Sequence, residues 1–337
     1  MNKIVIGLDV SKKKIDATAI VTSCGGNGME KLGYSVFENT ACGFRKLLSW
    51  CSVIGRGCST EDCLFCCETT GSYDRAMCLY LCAHRCFIWR ESAIQIKRSS
   101  GVRKGKDDRS DSLMIAEYAV RHMDKAECFR PLDGTVEELR QLFLYRQRLV
   151  EERKRAAVSV SESFVGIKDG PVANRIKREM QRHLRHLDTM IRRCEILIRQ
   201  TLMKDREVWD NFCRITTIKG VGLVNAVAFI VYTNNFRNFK TARQLASYYG
   251  VAAFRDRSGT SVDRRAQVSN LSNHRLKAYL AQAAECAART NGIYRRYYER
   301  MVERGKHRMI ILNNIRNKII HTVFALVRDK CDFCIAK

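Results

Sequence analysis

The chain lacks any long apolar run and any recognisable secretory leader. No window of its 337 residues approaches the roughly 18 consecutive apolar residues that a membrane-spanning helix needs. Near the N-terminus, Lys3 is followed by strand-like residues and then by acidic Asp9, which is not the pattern of a signal peptide. We therefore expect a cytoplasmic protein that has no membrane partner.

Acidic residues are few beside basic ones. The chain has 60 lysines and arginines against 35 aspartates and glutamates, which gives a net charge of +25 and a pI near 9.7. Such an excess implies a polyanionic partner, and its spread over the whole chain favours nucleic acid over a membrane surface. The charge does not distinguish RNA from DNA, and we find no aromatic-rich RNA-binding motif.

Cysteine is the one abundant reactive residue, with 16 copies. In a basic chain without a secretory leader we expect reduced thiols, most of them buried as small apolar side chains. The pairs Cys63/Cys66 and Cys331/Cys334 have the spacing of zinc ligands. The first pair lies in a strand-like run and no nearby second pair completes four ligands, which argues against structural zinc.

The N-terminal third alternates between strand and helix patterns. Strands are predicted at 3–9, 16–22, 32–37, 63–67 and 86–90, and helices at 43–53 and 73–84. Three successive strands followed by alternating strands and helices indicate an α/β domain, compatible with the ribonuclease H-like (RuvC-like) fold. We assign this domain to residues 1–130.

The middle segment, residues 131–208, changes to long charged helix formers, with a break at 166–171. Two long helices are predicted, and an apolar seam in the second is typical of a coiled coil. Arg146 and Arg153 interrupt the seam of the first. The arm either packs on its own domain or pairs protomers and spans nucleic acid. Residues 209–337 form a mostly α C-terminal domain.

Four carboxylates lie at strand ends and at the start of a helix. Asp9 and Glu68 end two strands, while Asp108 and Asp111 lie one turn apart on one face of a helix. Neighbouring carboxylates repel unless a cation offsets them, and Mg²⁺ prefers oxygen ligands. Two such ions about 4 Å apart could activate an attacking oxygen and stabilise a leaving one.

Each of these acids also has a purely structural interpretation, as a helix cap, a first-turn charge or a solvated strand end. Asp107 competes with Asp108 as a ligand. As a set they indicate a metal site, because a basic loop suited to a phosphate backbone lies just upstream. Its residues are Lys97, Arg98, Arg103, Lys104 and Lys106.

Three motifs resemble the transposases of the insertion sequence 110 family, which are related to the Piv DNA invertase. They are Gly7-Leu-Asp9-Val-Ser-Lys12, Glu68-Thr-Thr-Gly71-Ser-Tyr73 and Lys106-x-Asp108-Arg-x-Asp111. The resemblance implies a RuvC-like domain whose DEDD tetrad is Asp9, Glu68, Asp108 and Asp111. Asp107 and Ser112 depart from the family's usual residues without removing a ligand.

In the C-terminal domain the resemblance implies a helix-hairpin-helix-like segment, found here around Lys219, Gly220 and Gly222. A Gly-x-Gly before an apolar helix presents backbone N–H groups to a phosphate without reading sequence.

The resemblance also implies a nucleophilic serine in the Ser-Gly pair of a loop, which is Ser258 here, although Ala253 replaces the family's proline. Nearby arginines could orient phosphate oxygens, and other serines are rivals for the role. The arginines are Arg255, Arg257, Arg264 and Arg265, and the rival serines are Ser261, Ser269 and Ser272.

The function implied by the resemblance is excision and insertion of a prokaryotic mobile element through a covalent phosphoserine intermediate, assisted by Mg²⁺. It further implies a guide (bridge) RNA, element-end and target DNA as partners, and a homo-oligomer, dimer or tetramer, associated with the nucleoid when bound to DNA. Two alternatives are a metal-dependent nuclease like the Holliday-junction resolvases and a non-catalytic nucleic-acid-binding protein.

Overall fold

The structure is a computed structural model, and its chain divides into two compact units, Met1–Pro131 and Leu132–Lys337. The described residues are 3–22, 28–55, 62–69, 71, 73–99, 107–163, 170–258, 262–268 and 272–334. Among them, no helix combines the length and apolarity that crossing a membrane requires.

The first unit is built on a five-stranded sheet with the order β3-β2-β1-β4-β5. Strand β2 is antiparallel to β1 and β3, while β4 and β5 run parallel to β1. The strands are β1 (Lys3–Val10), β2 (Lys14–Thr22), β3 (Met29–Glu38), β4 (Leu64–Glu68) and β5 (Phe87–Glu91). The helices are α1 (Ala41–Ile54), α2 (Arg75–Ala83), α3 (Ala93–Ser99) and α4 (Asp108–Arg121). This arrangement confirms the predicted ribonuclease H-like fold.

Helices cover both faces of the sheet, which explains the nearly continuous apolar runs of β1 and β4. On one face, Ile6 and Phe65 pack with residues of α1 and α2. On the other, Val5 and Leu64 pack with residues of α4. Gly7 lies on this second face, where an added Cβ would be only 2.3 Å from the backbone of α4. A glycine is therefore required for α4 to lie directly on β1.

The second unit is mostly helical, as predicted. Its helices are α5 (Gly134–Glu162), α6 (Pro171–Leu202), α7 (Arg206–Thr216), α8 (Leu223–Thr233), α9 (Ala242–Tyr248), α10 (His274–Arg289), α11 (Ile293–Glu303) and α12 (Arg308–Asp329). A two-stranded hairpin that the sequence did not predict lies between α9 and α10. It consists of β6 (Ala253–Ser258) and β7 (Val262–Val268).

Helices α5 and α6 pack as an antiparallel pair. Arg146 and Arg153, which interrupt the apolar seam of α5, form ion pairs with Glu195 and Asp188 of α6. Buried side chains of both helices join those of α7 to α12 in one hydrophobic core. This core draws on both of the predicted segments 131–208 and 209–337, whose separation into two domains stays a prediction.

Candidate metal centre

One end of the sheet gathers acidic side chains on the face that α4 covers. Side chains alternate along a strand, so Asp9 follows Val5 and Gly7 on this face, and Glu68 follows Leu64 and Cys66. Strands β1 and β4 are paired up to Leu8 and Cys67, so Asp9 and Glu68 come next on neighbouring strands. Strand pairing therefore brings these two carboxylates to the same edge.

Helix α4 begins at this edge, with Asp108 and Asp111 in its first turn. The carboxylates of Asp9, Asp108 and Asp111 each offer an oxygen, and these oxygens lie within 4.8 Å of one another. Glu68 is not one of this group of three, but its charge acts on Asp9. Three of the four predicted carboxylates, those of Asp9, Asp108 and Asp111, could therefore share an ion. The fourth, that of Glu68, is close enough for its charge to affect Asp9.

The electrostatics of Asp9 reflect this crowding. Burial, followed by the charges of Asp111, Asp108, Asp16 and Glu68, raises the pKa of Asp9 from 3.8 to about 6. Both causes disfavour the ionised carboxylate, whereas a bound cation would favour it. The donor set contains only carboxylate oxygens, which suits a hard divalent cation such as Mg²⁺ or Mn²⁺.

Two further residues of the cluster were missed in the sequence. Asp16 faces Asp9 across the β1–β2 hairpin, is 1% exposed and accepts a hydrogen bond of 2.6 Å from the Tyr34 hydroxyl. Lys14 Nζ lies 2.6 Å from Asp108 Oδ2 and 3.1 Å from Asp16 Oδ2, and these contacts raise the pKa of Lys14. The predicted β1–β2 hairpin could have indicated that Asp16 lies opposite Asp9. Its register, however, depends on the turn at residues 11–14.

A buried contact fixes α4 beside these carboxylates. The hydroxyls of Thr18 on β2 and Ser112 on α4 are 2.7 Å apart, with neither exposed to solvent. Ser112, one of the two departures from the family's motif, thus holds the N-terminal part of α4 against the sheet. Asp107, the rival ligand, precedes the helix as its N-cap residue.

The basic loop predicted upstream of α4 needs a correction. Lys97 and Arg98 are exposed, but they lie in the last turn of helix α3 rather than in a loop. Basic side chains are favourable there because they face the negative end of the helix dipole. Arg103, Lys104 and Lys106 lie outside the described residues.

The predicted zinc spacings do not form sites. Cys63 and Cys66 pack into different hydrophobic clusters on opposite faces of the sheet, so they cannot share an ion. Cys331 and Cys334 are exposed beyond α12. All 14 cysteines that the structure describes are free thiols, and half of them are buried.

In the second unit, α7 and α8 are joined by a short turn that forms the predicted helix-hairpin-helix-like segment. Gly220 has a left-handed backbone (φ +95°), and an added Cβ would be 2.7 Å from the backbone of Ala287 on α10. Close packing against the backbone of α10 therefore explains why residue 220 is a glycine. Gly222 is more open, since a Cβ there would meet nothing within 4 Å, and exposed Lys219 contacts the Asn291 carbonyl at 3.2 Å. Their binding of phosphate stays a prediction.

Ser258 was expected in a loop, and this expectation is wrong. Ser258 is the last residue of β6 and pairs with Val262 of β7. Arg255 and Arg257 belong to β6. Arg264 and Arg265 belong to β7. The side chains of residues 255–266 lie outside the described part of the structure, as do Ser261 and Ser269 altogether.

Comparison with known proteins decides the family. A model of DEDD transposases of the IS110 type matches residues 6–166, and one of the IS116/IS110/IS902 transposase family matches residues 213–299. The chain belongs to the IS110 family of transposases. This transposase is therefore an enzyme of DNA recombination, and its acidic cluster is a candidate for a divalent metal ion.

Two individual relatives agree with this assignment. The transposase is similar to the pilin gene-inverting protein of Moraxella bovis, with 23% identity over 99% of this chain and 98% of that protein. An uncharacterized 43.6 kDa protein of insertion element IS110 from Streptomyces coelicolor is 31% identical over 34% of this chain and 28% of its own. Among solved structures, Thermus thermophilus RuvC matches 37% of this chain and 99% of its own, with 12% identity and a TM-score of 0.28.

Proposed function

We propose that this transposase cuts and rejoins DNA at the ends of a mobile element with Mg²⁺ ions bound by Asp9, Glu68, Asp108 and Asp111. The observation that carries the proposal is the convergence of three carboxylates within 4.8 Å at one sheet edge. Four carboxylates carry four negative charges and two Mg²⁺ ions supply four positive ones, while Lys14 offsets Asp16. When bound, such ions activate an attacking oxygen and stabilise a leaving one.

The protein's own residues prepare this site. Tyr34 and Lys14 hold the buried Asp16 opposite Asp9, and Lys14 also pairs with Asp108, whose negative charge a bound cation would otherwise offset. Contact between Gly7 and α4 sets the distance between Asp9 on the strand and Asp111 on the helix. Metal ligands supported in this way keep the geometry that catalysis requires.

For the nucleophile we propose Ser258. Its Oγ gives up its proton and attacks the scissile phosphorus, so that a new P–O bond to serine forms while the bond from phosphorus to one nucleotide oxygen breaks. That oxygen leaves as a hydroxyl after taking up a proton, and an incoming hydroxyl later reverses the step to rejoin DNA. Support comes from the family's Ser-Gly motif, and from arginines on both strands of the hairpin that could contact phosphate.

The basic residues predicted from the sequence, together with the backbone N–H groups of two glycines, are proposed to bind the phosphates of DNA and of a guide RNA. The residues are Lys97, Arg98, Arg103, Lys104, Lys106, Lys219, Gly220, Gly222, Arg255, Arg257, Arg264 and Arg265. Support comes from the net charge of +25 and from the family resemblance. We further propose that α5 and α6 pair protomers into a dimer or tetramer, because Val158, Val172 and Ile176 near their connection are exposed apolar side chains.

The test is a search for a protein–DNA adduct that survives denaturation. The purified protein, with any co-purifying RNA, is incubated with Mg²⁺ and a plasmid carrying the element's ends in arrangements that report both insertion and inversion. The adduct is expected with the wild-type chain and with Ser272→Ala, and is expected to be absent with Ser258→Ala. DNA cleavage without an adduct in the wild type would favour the resolvase-like nuclease instead, and ribonuclease treatment tests the guide RNA.

A further inference from the structure

A second group of potential ligands lies in the first unit, away from the acidic cluster. Cys67 on β4 and Cys78 on α2 are buried, together with Asp74 just before α2, and one ligand atom from each lies within 4.8 Å of the others. Cys67 packs in the cluster formed with α1 and α2, so it points to the sheet face opposite Glu68. This thiol–carboxylate group is therefore separate from the proposed Mg²⁺ centre.

The sulfur separation fits a shared metal ion. The Sγ atoms of Cys67 and Cys78 are 3.8 Å apart. Zinc–sulfur bonds of about 2.3 Å in a tetrahedron place two sulfurs about 3.8 Å from each other. A thiol–thiol hydrogen bond gives a similar distance, so the sulfur separation alone does not distinguish a metal site from a hydrogen-bonded pair of thiols.

The buried carboxylate of Asp74 favours the metal site. Its side chain is 0% exposed, and its Oδ1 atom has no hydrogen-bond partner among the residues that the structure describes. Buried carboxylate oxygens are rarely left without a partner. Asp74 precedes α2, yet its side chain makes no capping hydrogen bond to the helix. An oxygen of this buried carboxylate belongs to the same group of ligand atoms as the two sulfurs.

The other oxygen of Asp74 is paired in a way that balances charge. Arg90 Nη2 lies 2.6 Å from Oδ2 and Arg90 Nε donates to the same atom at 2.7 Å. Two thiolates and one carboxylate carry three negative charges, while a divalent ion and Arg90 carry three positive ones. A neutral total is what a buried ionic group requires. Since Arg90 contacts only Oδ2, Oδ1 keeps its lone pairs available to a ligand.

We propose that Cys67, Asp74 and Cys78 bind a thiophilic divalent ion of the zinc class, with water in the fourth position. Thiolate ligands select zinc over Mg²⁺, so the two centres of this unit take different ions. On binding, each thiol releases its proton to solvent. The ion would join the end of β4 to the start of α2 and brace the segment that carries Glu68. Only this bracing role rests on the proposed function; the site itself does not.

The experiment uses the full-length chain, purified under reducing conditions, loaded with Co²⁺ or Zn²⁺ and then dialysed. About one ion per chain is expected, with the near-ultraviolet absorption of cobalt bound to thiolate. Cys67→Ala and Cys78→Ala should each lower retained metal at least tenfold, and Asp74→Asn should weaken binding severalfold. Cys66→Ala is the matched control, since it removes a neighbouring buried thiol from the opposite face.

A chain carrying both Asp9→Asn and Asp108→Asn separates this site from the proposed Mg²⁺ centre. The cobalt–thiolate band is expected to remain in that chain even though recombination is lost. The proposal is overturned if the wild type shows no such band, or if the band persists in both cysteine variants. A wild-type mass lower by two hydrogen atoms, mapped to a Cys67–Cys78 disulfide, also overturns it. Asp74→Asn, which keeps both thiols and nearly the same side-chain volume, tests the site even where a cysteine variant misfolds.

Discussion

The acidic cluster of the first unit and the serine hairpin of the second differ in how they are supported. Asp9 lies on a strand that pairs on both edges, and α4 contacts that strand at Gly7. Ser258 lies on a two-stranded sheet that, within the described residues, pairs with no third strand. Two-stranded sheets are marginally stable alone. Proposed metal ligands thus have rigid support, whereas the position of the proposed nucleophile depends more on its surroundings.

The largest expected effect comes from removing a carboxylate. Asp108→Asn should lower the rate of strand exchange by about 10³-fold, because metal stabilisation of the transition state contributes several kcal/mol. Single-turnover assays on the plasmid substrate measure this rate, with exposed Asp124→Asn as the control. Ser258→Ala should lower exchange as strongly while leaving cation binding unchanged. Equal strand-exchange rates for Asp108→Asn and the wild type would show that the proposed metal centre has no part in the reaction.

Substituting two glycines tests whether the packing of α4 on β1 supports the proposed metal centre specifically. Gly7→Ala and Gly220→Ala both place a methyl against helix backbone, and each should lower the free energy of unfolding by about 2–3 kcal/mol. Only Gly7→Ala should also weaken Mn²⁺ binding, because it displaces α4 from β1. Denaturant unfolding and Mn²⁺ titration measure the two effects, with Gly134→Ala as the unhindered control. Equal loss of Mn²⁺ affinity in both variants would contradict the comparison.

Burial of Asp9, followed by repulsion within the cluster, predicts a gain in stability from Asp9→Asn. Since folding raises the pKa of Asp9 from 3.8 to about 6, the metal-free protein loses stability as pH rises between those values. Asp9→Asn should therefore raise the free energy of unfolding at pH 7.5 by about 1–2 kcal/mol, after allowance for partial solvent screening. Urea unfolding with a chelator should show this gain at pH 7.5 and none below about pH 4. Destabilisation at pH 7.5 would contradict it.

The smallest expected effect concerns Lys14. Its ion pair with Asp108 is partly exposed, so Lys14→Met should change the free energy of unfolding by less than about 1 kcal/mol. Without this positive charge, Mn²⁺ affinity should rise by up to about fivefold. Calorimetric titration compares it with Lys13→Met in the same turn. A fall in Mn²⁺ affinity would show that Lys14 mainly orients Asp108 for the ion rather than competing with the ion for that carboxylate.

The sequence was most informative where periodicity determines position. Strand ends and the first turn of a helix locate Asp9, Glu68, Asp108 and Asp111, because two-residue and 3.6-residue repeats set which side chains share a face. Asp16 was missed because its pairing with Asp9 depends on the hairpin register.

The β6–β7 hairpin was missed for a different reason. Its strands, AFRDRS and VDRRAQV, are charged and contain few β-branched residues, so they give almost no strand signal. Arg146 and Arg153 also break the helical pattern, and only the structure shows that acidic residues of α6 pair with them. Long-range pairing of polar groups is therefore what the sequence did not reveal.

The most direct test of the proposed metal centre is Mn²⁺ binding by the wild-type transposase and its Asp9→Asn, Asp108→Asn and Ser258→Ala variants. Calorimetry or electron paramagnetic resonance measures the bound ions without any DNA substrate. Saturable binding is predicted for the wild type and Ser258→Ala, with affinity at least about tenfold lower in both aspartate variants, as expected when a hard ligand is lost. Unchanged Mn²⁺ affinity in Asp9→Asn and Asp108→Asn would contradict the claim that these carboxylates form the metal centre.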